Sequence, residues 1–268
     1  MDDVAAMDDV AAMDDTGAMR IEEHIAALRR EGERMADTVE RADLDATVPT
    51  CPDWTVRELM RHLGRTHRWA AAYVRDHRAA MMSPEEDELA WGEMPDDTAL
   101  VGWFREGHRR IAELLESAPA DLDCWSFLPA LSPLAFWARR QAHETAIHHA
   151  DAQSAVGAIA RVPTDFAVDG VDELLRCFFS RPRNRLRSET ERTLSVAATD
   201  ADISWLVHIG PNGASAERGV GPADCELRGS ASDLYLGLWN RRPLTDLEIR
   251  GDATLLDLWR DKATVRWS

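Results

Sequence analysis

Apolar positions along the first part of the chain recur with the period of a helix. From Met19 onward, Ile21, Ile25, Leu28, Gly32, Met35 and Val39 are spaced for one apolar face, which predicts a first helix through about residue 41. Pro49-Thr50-Cys51-Pro52-Asp53 breaks that pattern. Thr55-Val56-Arg57-Glu58 then supplies a capping box, hydroxyl and carboxylate satisfying the backbone donors of a first turn, and predicts a second helix to about residue 80. A loop rich in acidic residues and proline leads to a third helix over 98–117, and a fourth is predicted over 133–156. Four helices of this length predict an antiparallel bundle. Beyond Val162-Pro163 the pattern becomes strand-like and alternating at 192–197 and 203–209. A helix is expected over 230–240, a strand over 247–250, and a short helix capped by Asp252 that ends near Trp259. The expected fold class is α+β, with a tail at 1–18, a helical bundle at 19–158 and an α+β domain at 163–268.

Composition narrows the function classes. Residues 1–18 repeat Met-Asp-Asp three times, with six aspartates and no positive charge, a pattern expected to stay solvated and unfolded. Each repeat begins with methionine, so Met7, Met13 and Met19 are alternative start sites. A net charge of -17 works against nucleic acid and anionic membranes, which reward clustered Lys and Arg, and leaves small molecules or proteins as partners. No apolar run approaches the roughly 18 residues a membrane helix needs. Cys51, Cys124, Cys177 and Cys225 are far apart, with no Cys-x-x-Cys pair, and read as reduced thiols. With no secretory signal pattern, the expected location is cytoplasmic. Lys262 is the sole lysine among 31 basic residues, as codon bias in a high-GC genome would produce.

The candidate chemistry lies in Ala142-His143-Glu144-Thr145-Ala146-Ile147-His148-His149-Ala150-Asp151. Glu144 and His148 are one helical turn apart and project from the same face, about 5–6 Å apart at Cβ, within reach of one metal ion. Taken alone they are equally a solvated surface pair. The zinc-protease pattern does not fit, because it needs histidines at i and i+4 around a glutamate, and the residue four after His143 is Ile147. His143 lies about 100° around the helix from Glu144. A third candidate ligand is His62, on the stripe Leu59, His62, Thr66 and Trp69 of the second helix; by itself it also reads as a hydrogen-bonded core histidine. Asp151 either orients a ligand histidine or is solvated. His143 and His149 read as structural, as does Cys51 despite its place near a helix start, and the tryptophans read as packing residues.

Three segments together resemble the mycothiol-dependent maleylpyruvate isomerase family: Cys51-Pro52-Asp53-Trp54-Thr55-Val56-Arg57-Glu58-Leu59 with His62, His143-Glu144-Thr145-Ala146 with His148 and Asp151, and Gly229-Ser230-Ala231-Ser232-Asp233-Leu234 with Leu238-Trp239-Asn240-Arg241-Arg242-Pro243. The resemblance spans about residues 20–268. It implies a DinB-like four-helix bundle holding zinc through His62, Glu144 and His148, followed by a sterol-carrier-like α/β domain. It also implies mycothiol as thiol cofactor, a thiolate formed at the metal's open position, and its reversible addition to maleylpyruvate to give fumarylpyruvate. An arginine of the second domain, Arg241 or Arg242, would receive the dianionic substrate. Nickel, iron or manganese suit the same ligands. Two other readings are a mycothiol S-transferase acting on another electrophile, and a non-catalytic protein that binds a metal or small ligand. The partners expected are a small electrophile and a low-molecular-weight thiol, in a monomer or homodimer.

Overall fold

The first apolar stripe becomes α1 (Ile21–Val39), which buries Ile25, Leu28, Met35 and Val39. The computed structural model describes residues 19–181 and 184–263, so the acidic repeat at 1–18 lies outside the described residues. A short antiparallel hairpin, β1 (Thr47–Val48) and β2 (Cys51–Thr55), occupies the Pro-rich break. It feeds α2 (Val56–Asp76), whose capping box forms as the sequence predicts: Glu58 accepts from the Thr55 backbone N–H at 2.6 Å and Thr55 Oγ1 accepts from the Glu58 N–H at 3.4 Å. The helix stops before residue 80, because His77 turns left-handed (φ 48) and closes it.

The acidic connection that follows holds a helix the apolar pattern does not announce, α3 (Pro84–Trp91). Ser83 and Glu86 form its capping box around a proline in the first turn, so local chemistry starts a helix none of whose residues is fully buried. Next come α4 (Leu100–Ser117) and α5 (Pro133–Ala155), the latter opened by Ser132 Oγ accepting from the Ala135 N–H at 3.1 Å. Among the described residues, the chain forms two compact units, one reaching to Ala160 and the other starting at Arg161.

In the first unit, Met35, Val39, Val48, Val56, Leu59, Met60, Leu63, Leu100 and Phe104 share one core. Removing such a side chain to alanine costs about 2–5 kcal/mol. A second layer is aromatic: Tyr73 stacks on Trp137 (5.2 Å between centroids), Trp69 meets the same ring edge-on at 5.3 Å, and Trp137 Nε1 donates to the Trp125 carbonyl at 3.0 Å.

Two histidines sit in the middle of the bundle. Thr145 Oγ1 gives its only proton to the Gln141 carbonyl (2.7 Å), so His67 Nε2 must be the donor in its 2.9 Å bond to that hydroxyl. His108 Nε2 donates to the Leu28 carbonyl of α1 at 3.0 Å. Its ring lies where a Cβ on Gly32 would be, 2.1 Å from Nε2, so glycine is what lets α4 reach α1 here. Both imidazoles are buried, and burial pushes both pKa values down, that of His67 well down with help from neighbouring His108.

In the second unit, α6 (Thr164–Asp172) runs into a π-helical turn over Glu173–Phe178. A five-stranded sheet follows, built from β3 (Arg192–Ala198), β4 (Ile203–Gly210), β5 (Gly213–Arg218), β6 (Cys225–Gly229) and β7 (Glu248–Gly251). Its order is β5-β4-β3-β6-β7, with β3 and β6 parallel and every other pair antiparallel. Between β6 and β7 lies α7 (Ala231–Leu238), capped by Ser230, and the described chain ends after α8 (Thr254–Lys262), where Asp252 accepts from the Thr254 N–H at 3.0 Å. Asp172 is the unit's buried polar hub, accepting from Trp205 Nε1 at 2.9 Å and Arg218 Nε at 3.0 Å. The architecture is α+β, helical first and mixed second. Among the described residues no helix is long and apolar enough to cross a membrane.

The central histidines give the first unit an acid sensitivity. Unfolding returns each to a pKa of about 6.5, so below that pH the unfolded chain binds more protons and stability falls as pH falls. The expected slope is about 1.4 kcal/mol per pH unit for each histidine that stays neutral in the fold. Urea titrations from pH 7.5 to 5.5 should show this slope, and His67→Leu or His108→Leu should reduce it; an identical slope in both variants would refute the assignment.

Candidate metal centre

Two helices converge on one buried carboxylate. Glu144 comes from the middle of α5, His148 from the next turn of the same helix, and His62 from α2. Glu144 Oε1 lies 3.4 Å from His62 Nε2 and 3.3 Å from His148 Nε2, and the three donor atoms all lie within 4.8 Å of one another. As hydrogen bonds these contacts are long, and the same spacings match the edges of a tetrahedron: a central ion with bonds of about 2.0–2.1 Å holds its ligands about 3.3–3.4 Å apart.

The surroundings orient each donor. Asp151, fully buried and one turn beyond His148, takes His148 Nδ1 at 2.8 Å, which turns Nε2 toward Glu144. The β1–β2 hairpin holds Asp151 in turn, through Thr50 Oγ1 at 2.6 Å and the Cys51 thiol at 3.6 Å. The same hairpin lays the Trp54 indole against both imidazoles, at 4.7 Å from His62 and stacked at 5.9 Å on His148. On the far side of the carboxylate, Arg140 Nη2 donates to Glu144 Oε2 at 3.3 Å.

Electrostatics separates the three donors. Burial alone would raise the Glu144 pKa, but hydrogen bonds from His148 and His62, with the Arg140 charge, hold it well below the usual carboxylate range. His62 goes the other way, since burial outweighs its bond to Glu144 and keeps the ring neutral. Burial would also lower His148, but Asp151 and Glu144 both face it and lift it to about 9. One positive charge therefore sits on His148, between two carboxylates. Its contribution to the metal-free fold is full below about pH 6.5 and is lost as pH rises through about 9.

An ionised carboxylate and two imidazole nitrogens, one of them backed by a second carboxylate, are a donor set that suits a divalent cation such as zinc. Three protein ligands would leave a fourth position for a small molecule, as catalytic sites do. Glu144 and His148 thus meet His62, as the helical spacing suggests they could. Asp151 holds a histidine and is not solvated. His143 packs on a different side, edge-on to His24 at 6.0 Å, and His149 Nδ1 bonds Glu31 of α1 at 2.9 Å. Arg241 and Arg242 lie in the second unit just after α7, where Arg241 Nη1 donates to the Trp239 carbonyl at 2.8 Å and Arg242 pairs with Asp233. Sequence reasoning passed over Thr50 and Arg140. The second was legible, since 140, 144, 148 and 151 form a single helical stripe.

A cation entering this site must displace the His148 proton, whereas His62 and Glu144 arrive without one. Zinc affinity is therefore expected to rise about tenfold per unit between pH 7 and pH 8, with one proton released per ion in calorimetry across two buffers. Asp151→Asn should weaken binding about 10–100-fold. Zinc uptake with no proton release, or an Asp151→Asn variant of unchanged affinity, would overturn the assignment of His148.

Comparison with known proteins bears on this geometry. The family model described as the mycothiol maleylpyruvate isomerase N-terminal domain matches residues 25–153, and the MDMPI C-terminal domain matches residues 165–258. The fold is similar to the crystal structure of a mycothiol-dependent maleylpyruvate isomerase, with a TM-score of 0.58 at 14% identity over 84% of this chain and 90% of that one. A histidine-to-alanine mutant of a mycothiol-dependent maleylpyruvate isomerase gives a TM-score of 0.59 at 14% identity, covering 86% of this chain and 93% of the other. The search of curated proteins finds no match. Matched by both family models over most of its length, the chain belongs to the mycothiol maleylpyruvate isomerase family.

Proposed function

We propose that this protein is a zinc-dependent, mycothiol-dependent enzyme that isomerises maleylpyruvate to fumarylpyruvate. The observation that carries the reading is the pair of spacings from Glu144 Oε1 to the two imidazoles, 3.4 and 3.3 Å, which match the ligand-to-ligand distances of a tetrahedral site. Family membership supplies the thiol and the substrate. A divalent cation bound there supplies a Lewis acid that keeps a thiol in its thiolate form near neutral pH.

The chain's own residues do the rest. His62, kept neutral by burial, offers Nε2 to an ion once its proton sits on Nδ1, so no net proton is lost. Asp151 fixes the His148 ring through Nδ1 and leaves Nε2 as the donor. Trp54 packs against both imidazoles on one side. Arg241 or Arg242 receives a substrate carboxylate, a role a planar guanidinium fills with two parallel hydrogen bonds. Substrate and product are isomers, so no redox partner is needed, and the thiol cofactor is the nucleophile that makes rotation about the double bond possible, so no protein nucleophile is needed. A cytoplasmic setting, with the thiol at hand, accompanies this reading.

The test uses the full chain loaded with zinc and supplied with mycothiol. Maleylpyruvate should be converted to fumarylpyruvate, and His62→Ala should lower kcat/KM about 100-fold or more through loss of the metal. One of Arg241→Met and Arg242→Met should raise KM about tenfold or more with metal content unchanged. A zinc-loaded protein that consumes mycothiol with another electrophile but leaves maleylpyruvate untouched would replace the isomerase reading with S-transfer. A Glu144→Gln variant with unchanged metal content would remove the chemical centre from both.

A further inference from the structure

We infer that Arg140 is a positioning residue that reserves one oxygen of Glu144, so that this carboxylate offers a metal a single donor atom and leaves coordination space for the incoming sulfur. The inference rests on the metal reading of His62, Glu144 and His148, and concerns a side chain that reading leaves without a role.

Arg140 and Glu144 stand one turn apart on α5, with side chains 2% and 5% exposed, so their contact is not a solvated surface pair. The two carboxylate oxygens are divided between different partners. Both imidazole nitrogens face Oε1, at 3.4 and 3.3 Å, while the guanidinium takes Oε2 at 3.3 Å. A carboxylate free at both oxygens can chelate an ion with both, filling two places where one suffices. A guanidinium already bonded to Oε2 competes with that second bond, and the burial of both side chains makes the contact costly to break. The same contact keeps a positive charge beside the ion's anionic ligand. It draws electron density from Glu144 and favours a negatively charged sulfur over a neutral one at the remaining position.

Arginine could be there only to neutralise a buried carboxylate. Coordination number distinguishes the two roles, because simple neutralisation leaves it unchanged. The full chain is loaded with cobalt(II), whose visible absorption is stronger in four-coordinate than in five- or six-coordinate sites, and 2-mercaptoethanol serves as the probe thiol. Wild type should give the strong four-coordinate spectrum. Arg140→Met should give a weaker, blue-shifted one, as Glu144 closes on the ion with both oxygens. The pH midpoint of the sulfur-to-cobalt charge-transfer band should rise by about one unit in Arg140→Met. Arg140→Gln keeps an amide N–H for Oε2 but loses the charge, so its spectrum should stay near wild type while its midpoint still rises.

A wild-type cobalt spectrum in Arg140→Met, whatever its midpoint, would overturn the inference and leave the metal reading standing. A wild-type chain that takes up no cobalt would remove both together. Should Arg140→Met fail to fold, Arg140→Ala carries the test: a weaker, blue-shifted cobalt spectrum supports the role and a wild-type spectrum refutes it.

Discussion

The helical unit is organised around an ionised carboxylate held out of water. A charge at Glu144 is costly in the interior unless opposite charge and hydrogen bonds meet it, and here Arg140, His148 and His62 do so from three directions. Each partner brings a further demand. His148 carries a proton and needs Asp151; Asp151 is itself a buried charge and needs Thr50 and Cys51; and these residues lie on a hairpin whose position is thereby set. The requirement to satisfy one buried group propagates from the middle of α5 to a turn about a hundred residues earlier in the chain.

This demand explains the composition of α5. It is buried on nearly every side, yet it carries Arg140, Gln141, His143, Glu144, His148, His149 and Asp151. A helix with an apolar interior would slide or rotate at modest cost. A helix whose polar groups must find Glu31 on α1, His67 on α2 and Thr50 on the hairpin has one register only, since a slip of one residue would strand several at once. Apolar packing, in which Ala152 joins the core of Met35, Leu59, Met60 and Phe104, adds stability, and the polar seam supplies the alignment.

Much of this was legible in the sequence where the signal is local. Thr55 and Glu58 mark the start of α2, the period of Ile21 to Val39 marks α1, and the four-residue step from Glu144 to His148 places both on one face. Ser83-Pro84-Glu85-Glu86 carried an equally clear start signal for α3, but a helix with no apolar stripe escapes a search for periodicity. The π-helical turn at Glu173–Phe178 and the β1–β2 hairpin depend on tertiary partners rather than on propensity, and neither has a pattern of its own. That Asp151 faces inward, or that His62 joins Glu144, follows from contacts across the bundle, which spacing along one helix does not contain.

His62 and Glu144 are 82 residues apart, and an ion gripped by both would act as a clip between distant parts of the chain. Such a clip exists only in the folded form, so its occupancy adds to resistance against proteolysis and thermal loss in proportion to the free ion available. The abundance of this protein in a cell would then track the supply of the metal, falling under starvation through faster turnover, well before any change in its synthesis.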